Sequence, residues 1–354
     1  MKILFLAPYP LGQAPSQRFR FEQYFLLLEK NGIAYSFQSF LDDETWQVLY
    51  LRGNTRNKVL GIAKGFIKRI MLLFSISRYD KVFIHREVTP IGPPTFEWII
   101  SKVLKKEVIF DFDDAIWLPN TSKENVIAST VKWHSKTASI CKWSKAVSVG
   151  NAYLAQYASQ LSSNVVVNPT TIDTECLHVP KKTNNEIPVI GWTGTHSTGK
   201  YLASIISALN EVSKTQNFTF LYISNKAPDF EIANLEFVKW SRDSEIDLLN
   251  RIDIGVMPLK DDQWSEGKCG FKALQYMALE IPALVSPVGV NSKIVDDGVN
   301  GYHCKTEADW VKRLTELIEA PELRKKMGVG GRKKVMAEYS VNSNSGHFLK
   351  IVKG

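Results

Sequence analysis

The sequence predicts an α/β protein built from two parallel-sheet halves. Strand-like apolar runs alternate with helical patterns along the chain, and one proline-rich polar stretch interrupts the alternation near the middle. Each half therefore reads as right-handed βαβ units, with a parallel sheet covered on both faces.

In the first half, strands are expected at 2–7, 34–39, 80–85, 106–111, 145–149 and 163–167, where short apolar runs end in turn residues. Helical patterns fall between them, near 17–31, 57–77, 93–105, 124–142 and 151–160. Residues 169–187 then carry prolines and many polar side chains, and read as a linker. The second half offers strands at 188–193, 217–223, 235–239, 253–257 and 282–286. Its helices are expected near 199–213, 243–250, 270–280, 306–319 and 321–337. The expected division is a first domain 1–168, the linker 169–187, a second domain 188–338, and a tail 339–354 crossing back to the first domain. Two such halves would form a cleft, with ligands at the carboxyl ends of the strands.

The chain has 354 residues, more than one ordinary core accommodates. A hydrophobic content of 44% with 23% charged residues reads as globular. The formal charge of +8 points to an anionic partner: nucleotide phosphates, a membrane surface or nucleic acid. Four dispersed cysteines without a C-x-x-C pair argue against a zinc site or a disulfide framework, and fit a reducing cytoplasm. No window reaches the ~18 apolar residues of a spanning helix. The opening MKILFLAPYP reads as a first strand rather than a signal peptide.

Several stretches can carry chemistry. VIGWTGTHSTGK (189–200) is a strand, a glycine turn and a helix start. There Gly194, Thr195, His196, Ser197 and Lys200 could receive a phosphate, with Ser197 or Thr198 as the cap. It reads equally as an ordinary βα turn. In EGKCGFKALQYMA (266–278), Lys268, Lys272 and Gln275 are expected on one helix face. Lys268 at the helix mouth opposes the dipole unless an anion is bound, so Lys268, Cys269, Gly270, Lys272 and Gln275 form a second phosphate-facing candidate.

VIFDFDDAIW (108–117) ends a strand in Asp111, Asp113 and Asp114. A magnesium-dependent phosphatase could use Asp111 and Asp113. Arg18 and Arg20 open the first helix and call for a carboxylate or anionic partner. His85, Arg86 and Glu87 end another strand, where residues facing a cleft are favoured functional positions. Helix 57–74 combines Lys58, Lys64, Lys68 and Arg69 with a broad apolar face. It fits an anionic membrane surface or a core helix equally well. Basic runs lack an interleaved aromatic platform, which ranks nucleic acid lower.

The stretch GKCGFKALQYMALEIPALVSPVGVNSKIVDDGVNGYHC resembles the donor-binding segment of GT-B fold glycosyltransferases, especially glycosyltransferase family 4. That family usually shows E-G-F-G-x-x-x-x-E-A-M-A-x-G-x-P-V-V-A, followed by G-x-x-E-I-V and D-G-x-x-G. Met277, Ala278, Pro282, Ile294, Val295, Asp297, Gly298 and Gly301 fall in register. GWTGTHSTGK, DFDDAIW and PSQRFR look like a branch of the same family, and the resemblance spans nearly the whole chain.

The resemblance implies the GT-B fold, two Rossmann-like domains facing across a cleft. It implies a retaining glycosyltransferase of the hexosyltransferase type, moving sugar from a nucleoside-diphosphate sugar to a glycan or lipid-linked glycan in polysaccharide or glycoconjugate synthesis. No cofactor and no metal are expected, because lysines and a helix dipole would take magnesium's place. The enzyme would be cytoplasmic, and the membrane reading of helix 57–74, where it holds in place of the core-helix one, would add peripheral attachment to the inner membrane face. The family's paired glutamates fall on Gly267 and Gln275, and Glu266, one residue early, could take the first role. Asp113, Asp114 and His85 would serve the reaction from the acceptor side, with Arg18, Arg20 and Arg86 near the acceptor and Trp240 near the base. A silent two-lobed nucleotide or sugar binder is the non-enzymatic alternative.

Overall fold

The computed structural model describes residues 1–49, 53–119, 133–181 and 185–354. They form two compact units, Met1–Thr170 with Ser345–Gly354, and Thr171–Asn344. From Thr171 onward, the stretch expected as a linker falls in the second unit. The last ten residues fall in the first.

The first unit holds a parallel sheet of β1 (Lys2–Ala7), β2 (Ala34–Ser39), β3 (Lys81–His85), β4 (Glu107–Phe112), β5 (Ala146–Val149) and β6 (Val165–Val167). Their spatial order is β2-β1-β3-β4-β5-β6. The second unit holds β7 (Val189–Thr193), β8 (Thr219–Ser224), β9 (Leu235–Lys239), β10 (Ile254–Met257), β11 (Ala283–Val285) and β12 (Gly301–His303), in the order β12-β11-β10-β7-β8-β9. Strands such as β7 are buried along their whole length, as a sheet covered on both faces requires. The strand order reverses between β1 and β3 in one sheet and between β7 and β10 in the other. Crevices for ligands open at the carboxyl ends of strands at such points.

Eleven expected strands are present within a residue or two of their expected bounds. β12 is an addition, only three residues long and paired to β11. The helices differ more. The pattern at 17–31 resolves into Pro15–Arg18, a 3-10 turn Glu22–Tyr24 and Phe25–Lys30. The break turns the Arg20 side chain inward, away from solvent. The pattern at 199–213 becomes His196–Gly199, a 3-10 segment Lys200–Ser204 and Ile206–Val212. Its first turn presses onto the sheet: a Cβ on Gly199 would come within 2.7 Å of the Tyr222 hydroxyl. The helix expected at 124–142 lies partly outside the described residues, which show Lys136–Trp143. Helices Asp43–Leu49, Gln263–Glu266, Asn291–Ile294 and Val341–Lys353 are further additions.

Each unit has its own core. Phe5, Phe21, Phe25 and Phe83 interlock in the first, where Phe348 of the terminal helix stacks on Tyr24 at 4.2 Å. Ile190, Trp192, Phe220, Val256 and Leu314 belong to the core of the second.

Candidate active site

In the second unit, two glycine-bearing loops meet over Trp192, the penultimate residue of β7. The Lys272 ammonium sits 5.5 Å over the Trp192 ring, and a Cβ on Gly194 would lie 2.6 Å from the same ring. Tyr276 ties the arrangement to the strand reversal, because its hydroxyl accepts the Thr193 N–H at 3.2 Å and bonds the Val256 carbonyl. Burial pushes the Tyr276 phenol well above its usual range, so it stays a neutral donor. Lys268 lies 5.1 Å over Trp264. Gly289 closes the far side, since a Cβ there would meet the Glu266 carbonyl oxygen at 2.9 Å.

The helix behind this loop begins at Phe271, with Gly270 as its left-handed N-cap at φ 68°. Lys268 therefore precedes the helix, and Lys268, Lys272 and Gln275 do not share one face. Gly270 offers no side-chain cap and no acidic residue occupies the first turn, so the helix supplies no negative charge of its own to its positive dipole end. Lys272 in the first turn adds to that charge.

Gln275 points inward and is buried. Its amide donates to the Glu245 carboxylate at 3.3 Å and lies 3.3 Å from His178 Nε2. At 194–200, neither Ser197 nor Thr198 caps the helix; the N-cap is Thr195, which makes no capping bond. The amides of Thr193, Gly194 and His196 are engaged by Tyr276, Ile223 and Asn225. This turn thus presents Lys200 and the Thr195–Ser197 hydroxyl pair, 2.9 Å apart, rather than a row of amides. Trp240 is half-buried just past β9, at the edge of the sheet and two strands from β7.

The first unit gathers its charged residues at the carboxyl ends of β3 and β4, where His85 and Asp111 are register partners. Arg20 is not an acceptor contact. It is fully buried in an ion pair with Asp111, and also donates to the Asn168 carbonyl. The Asp111 carboxylate further accepts from Ser148 Oγ at 2.6 Å and meets His85 Nδ1 at 2.8 Å. Although burial opposes ionisation, Arg20 and His85 hold the Asp111 carboxyl well below the usual range. An aspartate so enclosed can neither hold magnesium nor attack a phosphate, which removes the basis of the phosphatase reading. His85 is fully buried, and among the described residues its Nε2 has no hydrogen-bond partner.

Asp113 and Asp114 are not free acids either. Arg86 donates from Nε to Asp113 at 2.9 Å and from Nη2 to Asp114 at 2.6 Å. These two carboxylates hold the Arg86 guanidinium above its usual value. Arg86 keeps a left-handed backbone at φ 62°, and its N–H donates to the Asp111 carbonyl at 2.7 Å. Arg18 is buried against Phe19, its guanidinium 4.9 Å over the ring.

Arg69, expected among the outward basic residues of helix 57–74, is buried as well. It donates to the carbonyls of Ala7, Gln38 and Val88, and burial pushes its guanidinium down to about 9. Trp192, Tyr276 and Glu245 were not singled out from the sequence. A bulky aromatic immediately before a glycine turn was the available signal for Trp192.

Residues 219–334 match the family model described as glycosyl transferases group 1. The whole fold matches sucrose-phosphate synthase from Thermosynechococcus elongatus at TM-score 0.72 and 12% identity, covering 100% of this chain and 98% of that one. The chain has the GT-B fold. A glycosyltransferase from Rickettsia africae is similar at TM-score 0.69 and 13% identity, covering 99% and 97% of the two chains. The Anabaena protein HepE, solved in complex with UDP-glucose, is similar at TM-score 0.63 and 14% identity, covering 100% and 99%. A comparison with curated proteins returns no match. Among the described residues, no helix is long and apolar enough to cross a membrane.

Proposed function

We propose that this protein is a retaining hexosyltransferase that moves a sugar from a nucleoside-diphosphate sugar to a glycan or lipid-linked glycan acceptor, in cell-surface polysaccharide or glycoconjugate synthesis on the cytoplasmic side. The observation that carries the donor half is the Lys272 ammonium over Trp192, in the first turn of a helix that carries no acidic residue there, at the strand reversal of the second unit. A diphosphate placed there meets a positive dipole end and a lysine, with Lys268 in the preceding loop. As the sugar–phosphate bond breaks, negative charge grows on the leaving diphosphate, and these preorganised cations stabilise it. That arrangement lets the reaction run without a metal. The HepE complex makes UDP the first nucleotide to try.

Gln275 supports the nucleoside side indirectly, through its bond to the Glu245 carboxylate. On the acceptor side, the first unit offers the Arg86–Asp113–Asp114 cluster, which can orient a hydroxyl through a carboxylate oxygen.

The test is thermal unfolding with UDP, GDP, TDP, ADP and CMP, each with and without chelator. One diphosphate should raise the midpoint, adding about 2.7 kcal/mol of stability at a hundredfold excess over Kd, and chelator should leave that shift unchanged. Lys272→Ala should remove most of it, since a charge-assisted contact is worth about 1.5–3 kcal/mol. If no nucleotide shifts the midpoint, the donor reading falls. Binding without any transfer to acceptor would leave the silent two-lobed binder.

A further inference from the structure

Helix Thr55–Ser75 in the first unit is mounted with its apolar side facing solvent. It packs inward through Gly61, Gly65, Arg69 and Leu72, all buried. The glycines are needed for that approach: a Cβ on Gly61 would fall 2.0 Å from Thr45 Oγ1, and one on Gly65 would fall 2.7 Å from the Phe40 ring. The opposite side carries Leu60, Ile67, Ile70, Met71 and Phe74 at helical spacing, with Phe74 86% exposed and Met71 66% exposed. A monomer has no reason to leave such a stripe in water.

The stripe extends past the end of the helix. The Lys106 ammonium bonds the carbonyls of Ser77 at 3.2 Å and Tyr79 at 2.6 Å, just beyond Ser75. Val103 and Leu104, which shortly precede Lys106, are exposed as well.

Charge identifies the occupant. Lys58, Lys64 and Lys68 line the helix, Lys102 and Lys105 flank Val103 and Leu104, and the whole chain carries +8. Asp42 and Glu44 lie only at the edge of this group, 3.9 and 3.8 Å from Lys64. Exposed apolar side chains at helical spacing, with Lys64 and Lys68 on the same helix and Lys102 and Lys105 beside Val103 and Leu104, match a bilayer interface bearing anionic headgroups. We infer that the first unit lies on an anionic lipid bilayer, with Leu60–Phe74 and Val103–Leu104 dipping into the headgroup boundary. This goes beyond the transfer reaction and does not depend on it, although it suits a lipid-linked acceptor.

The experiment is co-sedimentation of the full chain with phosphatidylcholine–phosphatidylglycerol vesicles and with pure phosphatidylcholine vesicles, at low and high salt. Binding should require phosphatidylglycerol and weaken with salt. Ile67→Ser, Met71→Ser and Phe74→Ser together should abolish it while keeping the thermal midpoint, because all three side chains are exposed. Lys58→Gln, Lys64→Gln and Lys68→Gln together should weaken it on the order of a hundredfold, about fivefold for each lysine. Equal binding by wild type and both triple variants overturns the inference. So does a wild-type dimer in solution that the serine variant converts to monomer, since the stripe would then cover a second copy. Nucleotide-dependent stabilisation is measured separately, so failure here and failure of the donor reading are distinguishable.

Discussion

Asp111 anchors the first unit, because four groups from distant parts of the chain converge on its carboxylate or its cation. Arg20, His85 and Ser148 contact it directly, and the Asn168 carbonyl takes the other side of Arg20. Its folded pKa lies below the unfolded value of about 3.9, so its contribution is complete above that pH and is lost as pH falls through the folded value. Asp111→Asn leaves Arg20 buried without its anion and should cost about 3–5 kcal/mol at neutral pH. In urea unfolding across pH, the gap between variant and wild type should narrow below about pH 4. A constant gap would show that the ion pair is not what Asp111 contributes. Gln275 illustrates a second residue-scale constraint. A glutamate there would set two carboxylates about 3.3 Å apart, against Glu245, in a buried place. Gln275→Glu should therefore raise one of the two pKa values, lowering stability at neutral pH and restoring it in acid. A variant as stable as wild type at neutral pH would rule that repulsion out. The amide at 275 is thus accounted for by its neighbour, which lies 30 positions away and is invisible to local pattern.

At the level of elements, glycine decides which way helices face. The periodicity of 57–74 shows apolar residues over a wide arc and cannot say which side is inward. Contact with Thr45 and Phe40 selects the glycine side and leaves Ile67, Met71 and Phe74 outside. Gly61→Ala is the test at this scale. Alanine favours an isolated helix by up to about 1 kcal/mol. Yet its Cβ would collide with Thr45, whose hydroxyl is held by Asp42 at 2.5 Å. A net loss of about 1–3 kcal/mol in urea unfolding is expected, and a gain would mean that the two helices separate easily. Gly270 acts differently: its left-handed backbone sets the start of the next helix at Phe271. That places Lys268 in a loop, against the expectation of one continuous basic face.

Across the whole molecule, two units with separate sheets and separate cores predict more than one event on unfolding. Scanning calorimetry should resolve two transitions, with a bound nucleoside diphosphate raising only that of the second unit. A single transition raised as a whole would show that the units unfold together. The alternation of apolar runs and helical patterns was enough to place eleven strands and the two-sheet class, because parallel strands buried on both faces cannot be polar. The glycine turns and the basic stretch around 268–272 were legible for the same local reason, as were the acids ending β4. β12 was not, being three residues long and kept in place by β11 rather than by its own pattern. Nor were the partners of the charged residues. Arg20 finds Asp111 across 91 positions, Arg86 takes up Asp113 and Asp114, and Gln275 turns in to Glu245. Backbone propensity and hydrophobic period act over a few residues, and those the sequence determines by itself. Which carboxylate meets which cation, and which side of a helix stays wet, is set by close approach in three dimensions, where desolvation makes an unpaired charge costly and a single Cβ can forbid a contact.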